Sequence, residues 1–163
     1  RAGPLRAHLA PSGQDCLGAN RFFTARDSYD AFCKRFTAAT QALTVGPGAE
    51  DPDIGPLMNE KAVAKQQEHV KDALDRGARL LCGGKVHAEG PLFFEPTVLA
   101  DVPADALIMR EETFGPVAAI AAFDSEAEAI ARANDTEYGL VAYLHSQDPG
   151  SYTPLTLPAS DLV

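Results

Sequence analysis

Between residues 28 and 43 the apolar side chains of Tyr29, Phe32, Cys33, Phe36, Ala39 and Leu43 recur at steps of three and four, with Lys34, Arg35 and Gln41 off that face. The period predicts a helix that buries an aromatic stripe against a sheet, started by Asp27 or Ser28 accepting backbone N–H bonds. Just upstream, 21–25 reads as a short strand. A second helix is expected from an Asn59 cap to about residue 76, with Val63, Val70 and Leu74 inward and Gly77 as its left-handed stop. Residues 78–82 follow as a strand closed by Gly83 and Gly84, while 46–56, rich in Gly and Pro, reads as a surface loop. Pro96 lacks an N–H, so 93–99 is expected at an edge or crossing over. The nearly unbroken apolar run 117–122 predicts a strand covered on both faces. Ser125 and Glu128 have capping-box spacing for a helix to about residue 133, and 140–144 is expected as a further strand, reached by a right-handed connection. Helix and strand alternate throughout, which predicts an α/β fold with an open, twisted, mostly parallel sheet and flanking helices.

Length and composition narrow the function. At 163 residues, 45% hydrophobic and 23% charged, the chain suffices for one sizeable core. Fourteen basic against 23 acidic residues give a formal charge of -9, which disfavours nucleic acid and anionic membrane surfaces as partners and favours a small molecule or a protein. Three cysteines without paired spacing make neither a disulfide framework nor a zinc site, in keeping with a reducing, cytoplasmic compartment. No apolar stretch approaches the roughly 20 residues of a membrane-spanning helix. The N-terminus has a basic start but no apolar signal core and no initiator Met. Beyond residue 146 the prolines leave no usable period, and poor order is expected there.

Chemistry concentrates at two places. Cys16 stands in Gly13-Gln14-Asp15-Cys16-Leu17-Gly18, between two glycines and off any hydrophobic period. That is the setting of a presented thiol, which as thiolate is a strong nucleophile toward a carbonyl carbon, although a lone loop cysteine is more often structural. Cys33, on the aromatic helix face, and Cys82, ending a strand, read as core thiols. Far downstream lies Glu111-Glu112-Thr113-Phe114-Gly115-Pro116-Val117. On the residues alone it reads as a solvated acidic turn followed by a core aromatic before a strand. His8, His69, His87 and His145 share no spacing that suggests a metal site or a proton relay. Gln14 and Asn20 are candidates for shaping the cysteine loop.

The order of the short motifs adds more than any one of them. Gly13-Gln14-Asp15-Cys16, Ile54-Gly55-Pro56-Leu57, Gly77-Ala78 with Gly83-Gly84, Glu95 to Leu99, Glu111 to Val117 and Asn134-Asp135-Thr136-Glu137-Tyr138-Gly139-Leu140 follow one another as in aldehyde dehydrogenases, which the chain resembles over about residues 12–146. The wording around Gly55 to Val63 and Asn134 to Leu140 is most similar to the succinate-semialdehyde branch. The resemblance implies part of that family's catalytic domain, with Cys16 as nucleophile, NAD or NADP as hydride acceptor, and a short aldehyde, succinate semialdehyde favoured, as substrate. It implies that Glu112 accepts bonds from the nicotinamide-ribose hydroxyls, that Phe114 positions the nicotinamide, and that Lys65 lies near the adenosine ribose. It implies a homo-oligomeric parent enzyme. The resemblance does not extend to residues 1–11 or 147–163, and a truncated product is expected, lacking the glycine-rich turn, the general-base glutamate and the oxyanion asparagine of the family. Ala10 stands where semialdehyde-specific members carry an arginine, and Leu17 and Gly18 follow Cys16 where some members have a second cysteine. A catalytically inactive α/β fragment that at most contacts other subunits, and a thiol hydrolase with a His directed at Cys16, are the alternatives.

Overall fold

The apolar run 117–122 becomes a strand covered by helices on both faces. In the computed structural model, which describes residues 12–146, β1 (Arg21–Ala25) leads directly into α1 (Arg26–Gln41), followed by α2 (Glu60–Asp75), β2 (Arg79–Cys82), β3 (Thr97–Ala100), the one-turn α3 (Leu107–Arg110), β4 (Val117–Phe123) and α4 (Glu126–Asn134). The sheet order is β1-β4-β3-β2. β4 pairs parallel with β1 and with β3, and β2 is antiparallel to β3, giving the expected mostly parallel open sheet. The segments 1–11 and 147–163, with His8 and Ala10, lie outside the described residues.

Alternation along β4 explains why its sequence shows no polar face. Val117, Ala119 and Ala121 join the core under α2 and α3 with Val63, Val70, Leu99 and Ile108, while Ala118 and Ile120 join Phe22, Tyr29, Cys33 and Phe36 under α1. Both faces are covered, and all five of these residues are buried. Small alanines on β4 let a helix approach from each side, and the larger Phe22, Phe36 and Phe94 fill the space around them.

Four expectations need correction. β3 is a central strand, because Pro96 stops one residue short of the ladder and the first donor, Thr97 N–H, bonds to Pro116 O at 2.8 Å. α1 starts without a side-chain cap, Ser28 Oγ instead donating to Ala25 O, and it ends at Gln41, so that Thr40 is buried in place of Ala39. On α2, Asn59 caps as expected, accepting from Ala62 N at 2.9 Å, but Leu74 is exposed and Ala73 takes the inward place. Residues 140–144 form no strand: Leu140 and Tyr143 are exposed at 60% and 51%, and no described strand pairs with them. Residues 140–144 pair with neither edge strand of the sheet, β1 or β2, so the expected strand, helix, strand unit stops after α4. The Ser125 cap does form, accepting from Glu128 N while the Glu128 carboxylate accepts from Asp124 N. No described helix is long and apolar enough to cross a membrane.

Candidate functional site

Adjacent parallel strands enter a sheet from the same end, so the segments preceding β1 and β4 must meet. Those segments are residues 12–20, which carry Cys16, and 111–116, which carry Glu112 and Phe114. The convergence lies at the amino ends of the strands, opposite to the carboxyl-end crevice that open α/β sheets usually use.

Asp15 shapes the cysteine turn: its carbonyl accepts from Gly18 N and its Oδ1 from Leu17 N, both at 2.9 Å, and the Cys16 thiol is left exposed. Two side chains fasten this turn to the loop before α2. Ser12 Oγ exchanges bonds with Gly55 N and O, and Gln14 accepts from Met58 N at 2.9 Å and donates to Pro56 O at 3.3 Å. Gly13, at φ +68°, lies so close to the second segment that a Cβ there would stand 2.1 Å from Gly115 O. Asn20 bolts the two segments together. Its Nδ2 donates to Ile108 O and Glu111 O at 3.0 and 3.1 Å, and its Oδ1 accepts from Thr113 N at 3.0 Å.

From the other side, one face of α2 grips the same loop. Lys65 Nζ donates to Glu112 O at 2.6 Å, and Gln66 Nε2 donates to Thr113 O at 2.9 Å. His69 Nδ1 lies 3.1 Å from Thr113 Oγ1, and its Nε2 lies 3.5 Å from Glu111 Oε2. Thr113 is buried with its N–H, carbonyl and hydroxyl all engaged. Held on either side, Phe114 adopts φ +52°, a left-handed conformation that costs a non-glycine residue about 1–2 kcal/mol. Glu112 itself is exposed, and no described residue bonds its carboxylate.

Burial pushes the His69 pKa below its ordinary value, Lys65 adding to the effect while Glu111 opposes it. Burial also pushes the Cys33 and Cys82 thiols up; Cys33 lies in the core as expected, whereas Cys82 is only half-buried against it. The described residues contain no group of His, Cys, Asp and Glu able to hold a metal ion, and none of the described histidines hydrogen-bonds Cys16. Gln14 and Asn20 do shape the cysteine loop, as expected. Ser12, Gln66, His69 and Thr113 were missed. For Gln66 and His69 a signal existed: both fall within the inward stripe with Val63, Val70 and Ala73, and a polar side chain on an apolar face asks for a buried partner.

The model of the aldehyde dehydrogenase family matches residues 3–156. The chain is 48% identical over 147 residues to a succinate-semialdehyde dehydrogenase [NADP(+)] of Escherichia coli, covering 90% of this chain and 30% of that protein. It is 47% identical to a glutarate-semialdehyde dehydrogenase of Pseudomonas aeruginosa, with the same coverage. The crystal structure of succinate-semialdehyde dehydrogenase from Burkholderia pseudomallei superposes with a TM-score of 0.88 at 48% identity, over 91% of this chain and 31% of that one. The chain thus spans about a third of the length of the relatives it matches.

Proposed function

The chain belongs to the aldehyde dehydrogenase family, and from that premise we propose that it supplies the nucleophile and part of the cofactor face for oxidation of a short aldehyde to its acid. The observation that carries this reading is the Asn20 clamp, which holds the segment bearing Cys16 against the segment bearing Glu112 and Phe114. In the proposed reaction the Cys16 thiolate adds to the carbonyl carbon, forming a C–S bond while the carbonyl π electrons move to oxygen as a thiohemiacetal. NAD or NADP, when bound, supplies the acceptor for the hydride leaving that carbon. Water then releases the acid from the Cys16 thioester and the thiol is restored.

The residues present fit a nicotinamide dinucleotide. The Glu112 carboxylate is exposed and unengaged among the described residues, as an acceptor for two ribose hydroxyls must be, and the loop gives Phe114 a fixed backbone. Lys65 uses one ammonium donor on Glu112 O and keeps two for a ribose oxygen. Succinate semialdehyde is the favoured substrate, since relatives named for it and for glutarate semialdehyde align at similar identity. Both carry a carboxylate beyond the aldehyde. By themselves, the 163 residues are expected not to turn over, as they hold no match to the family's glycine-rich turn or general base.

Alkylation tests the nucleophile without requiring turnover. Iodoacetamide is expected to label Cys16 well before Cys33 and Cys82, succinate semialdehyde to slow that labelling, and Cys16→Ser to remove it. Labelling of Cys16 indifferent to the aldehyde would sink the assignment. Reduced-cofactor formation, read by its absorbance with aldehyde and NAD or NADP, is expected to be absent from the isolated chain. Turnover unaffected by Cys16→Ser would exclude Cys16. A second reading, a catalytically silent unit that associates with other subunits, draws on the exposed Tyr138, Leu140 and Tyr143, and predicts indifference to the aldehyde together with self-association by sedimentation.

A further inference from the structure

The grip of α2 on the Glu111–Gly115 loop is of two kinds. Lys65, Gln66 and, from the cysteine segment, Asn20 all hold main-chain atoms, which any residue types in the loop would offer. His69 alone holds side chains: the Thr113 hydroxyl through Nδ1 and the Glu111 carboxylate through Nε2. With the Glu111 carboxylate, which only accepts, 3.5 Å from Nε2, the neutral ring is assigned its proton on Nε2, and in that tautomer Nδ1 accepts from the Thr113 hydroxyl. The imidazole is 1% exposed and Thr113 equally so, and water is poorly placed to substitute for either group. Thr113 is joined to Phe114 in its left-handed conformation. Immediately beyond Phe114, Gly115 lies so close to the Gln66 amide that a Cβ there would meet it at 2.4 Å.

We propose that His69 is a positioning residue for the proposed cofactor face: through the Thr113 hydroxyl it fixes the rotation of Thr113 and thereby holds Phe114 in the backbone conformation that sets the direction of its ring. This rests on the reading of Phe114 as a cofactor contact, but its first consequence, a Phe114 locked by His69, exists in the free chain. His69 touches neither Cys16 nor Glu112 side chains by any described bond, so its effect is carried wholly by the loop.

The test uses the full chain and three variants. Thr113→Val keeps shape and burial and removes the hydroxyl; His69→Leu removes both ring nitrogens; His69→Asn places an amide oxygen near the Nδ1 position, so it keeps the acceptor while losing the contact to Glu111. Amide hydrogen exchange at Thr113, whose N–H is bonded to Asn20 Oδ1, is expected to quicken roughly tenfold in Thr113→Val and His69→Leu and to return toward wild type in His69→Asn, with β3 and β4 protection unchanged. Fluorine NMR of chain carrying fluorophenylalanine, with the Phe114 line assigned through Phe114→Leu, is expected to move or split in the same two variants. Unchanged exchange and an unchanged Phe114 line would overturn the proposal, and so would uniform loss of protection across the sheet in Thr113→Val, which marks a merely structural role. Titration of reduced nicotinamide dinucleotide by its fluorescence separates the two readings. Loss of the loop signature with binding indifferent to Glu112→Gln keeps His69 as the positioning group and removes the cofactor assignment. An intact signature with Glu112-dependent binding does the reverse.

Discussion

Two stretches of this chain differ in local sequence character and meet fates opposite to those their sequences suggest. The Glu111–Val117 segment is irregular until its last residue, yet it is held by Asn20, Lys65, Gln66 and His69 on both sides and sustains a strained Phe114. The 140–144 segment has the better strand sequence, yet it forms no ladder among the described residues, where its one long-range bond is from Tyr143 OH to Leu17 O at 2.9 Å. The difference shows what fixes a segment: not its propensity but whether partners exist for its backbone groups. At the 111–115 loop the partners come from side chains on elements already anchored in the core. Beyond α4 the described residues offer almost none.

The contrast breaks most easily at Gly13. Alanine there adds a Cβ into the Gly115 carbonyl and must also adopt a positive φ, so Gly13→Ala is expected to destabilise the chain by roughly 3–4 kcal/mol in denaturant unfolding. A cost below about 1 kcal/mol would mean that the two segments are not in contact in solution. Asn20→Ala comes next. It leaves Thr113 N–H and the carbonyls of Ile108 and Glu111 short of a partner, at a cost of about 2–3 kcal/mol, and should raise exchange at 111–115 while leaving 140–144 unchanged.

Acid sharpens the comparison through His69. Its folded pKa lies below the unfolded 6.5, so on acidification the unfolded chain binds the proton first. Stability from this group is therefore full above about pH 6.5 and is lost as pH falls toward the folded value, with a slope of at most about 1.4 kcal/mol per pH unit. His69→Gln should flatten that part of the profile relative to the wild-type chain. Identical profiles would show that burial does not perturb this imidazole.

Much of the fold was legible because its information is local. The period of α1, the Asn59 cap and Gly77 stop of α2, the capping box of α4 and the continuous run of β4 each report an element directly. Cys16, Glu112 and Phe114 were legible as candidates through the order of motifs, and the parallel pairing of β1 with β4 brings their segments together. What stayed hidden depends on distant partners. Pro96 looked like an edge marker because sequence could not reveal that the ladder starts one residue later, at Pro116 O. Thr113 and His69 are bland one at a time, being 44 positions apart, and acquire meaning only as a buried pair. Residues 140–144 failed in the reverse direction: their pattern describes a strand's needs and says nothing of whether the segment reaches an edge of the sheet.

The smallest expected effect tests the weaker side of the contrast. Tyr143 is half exposed and spends its hydroxyl on Leu17 O, beside Cys16, where water competes for both groups. An exposed bond of this kind contributes little, so Tyr143→Phe should change unfolding free energy by less than about 0.5 kcal/mol. Its local effect is more informative. If 138–144 merely rests on the cysteine turn, the iodoacetamide labelling rate of Cys16 stays within about twofold of wild type, because Asp15, Gln14 and Asn20 still hold the turn. A larger rise would mean that Tyr143 covers the thiol, and the segment would then belong with the clamped loops rather than apart from them.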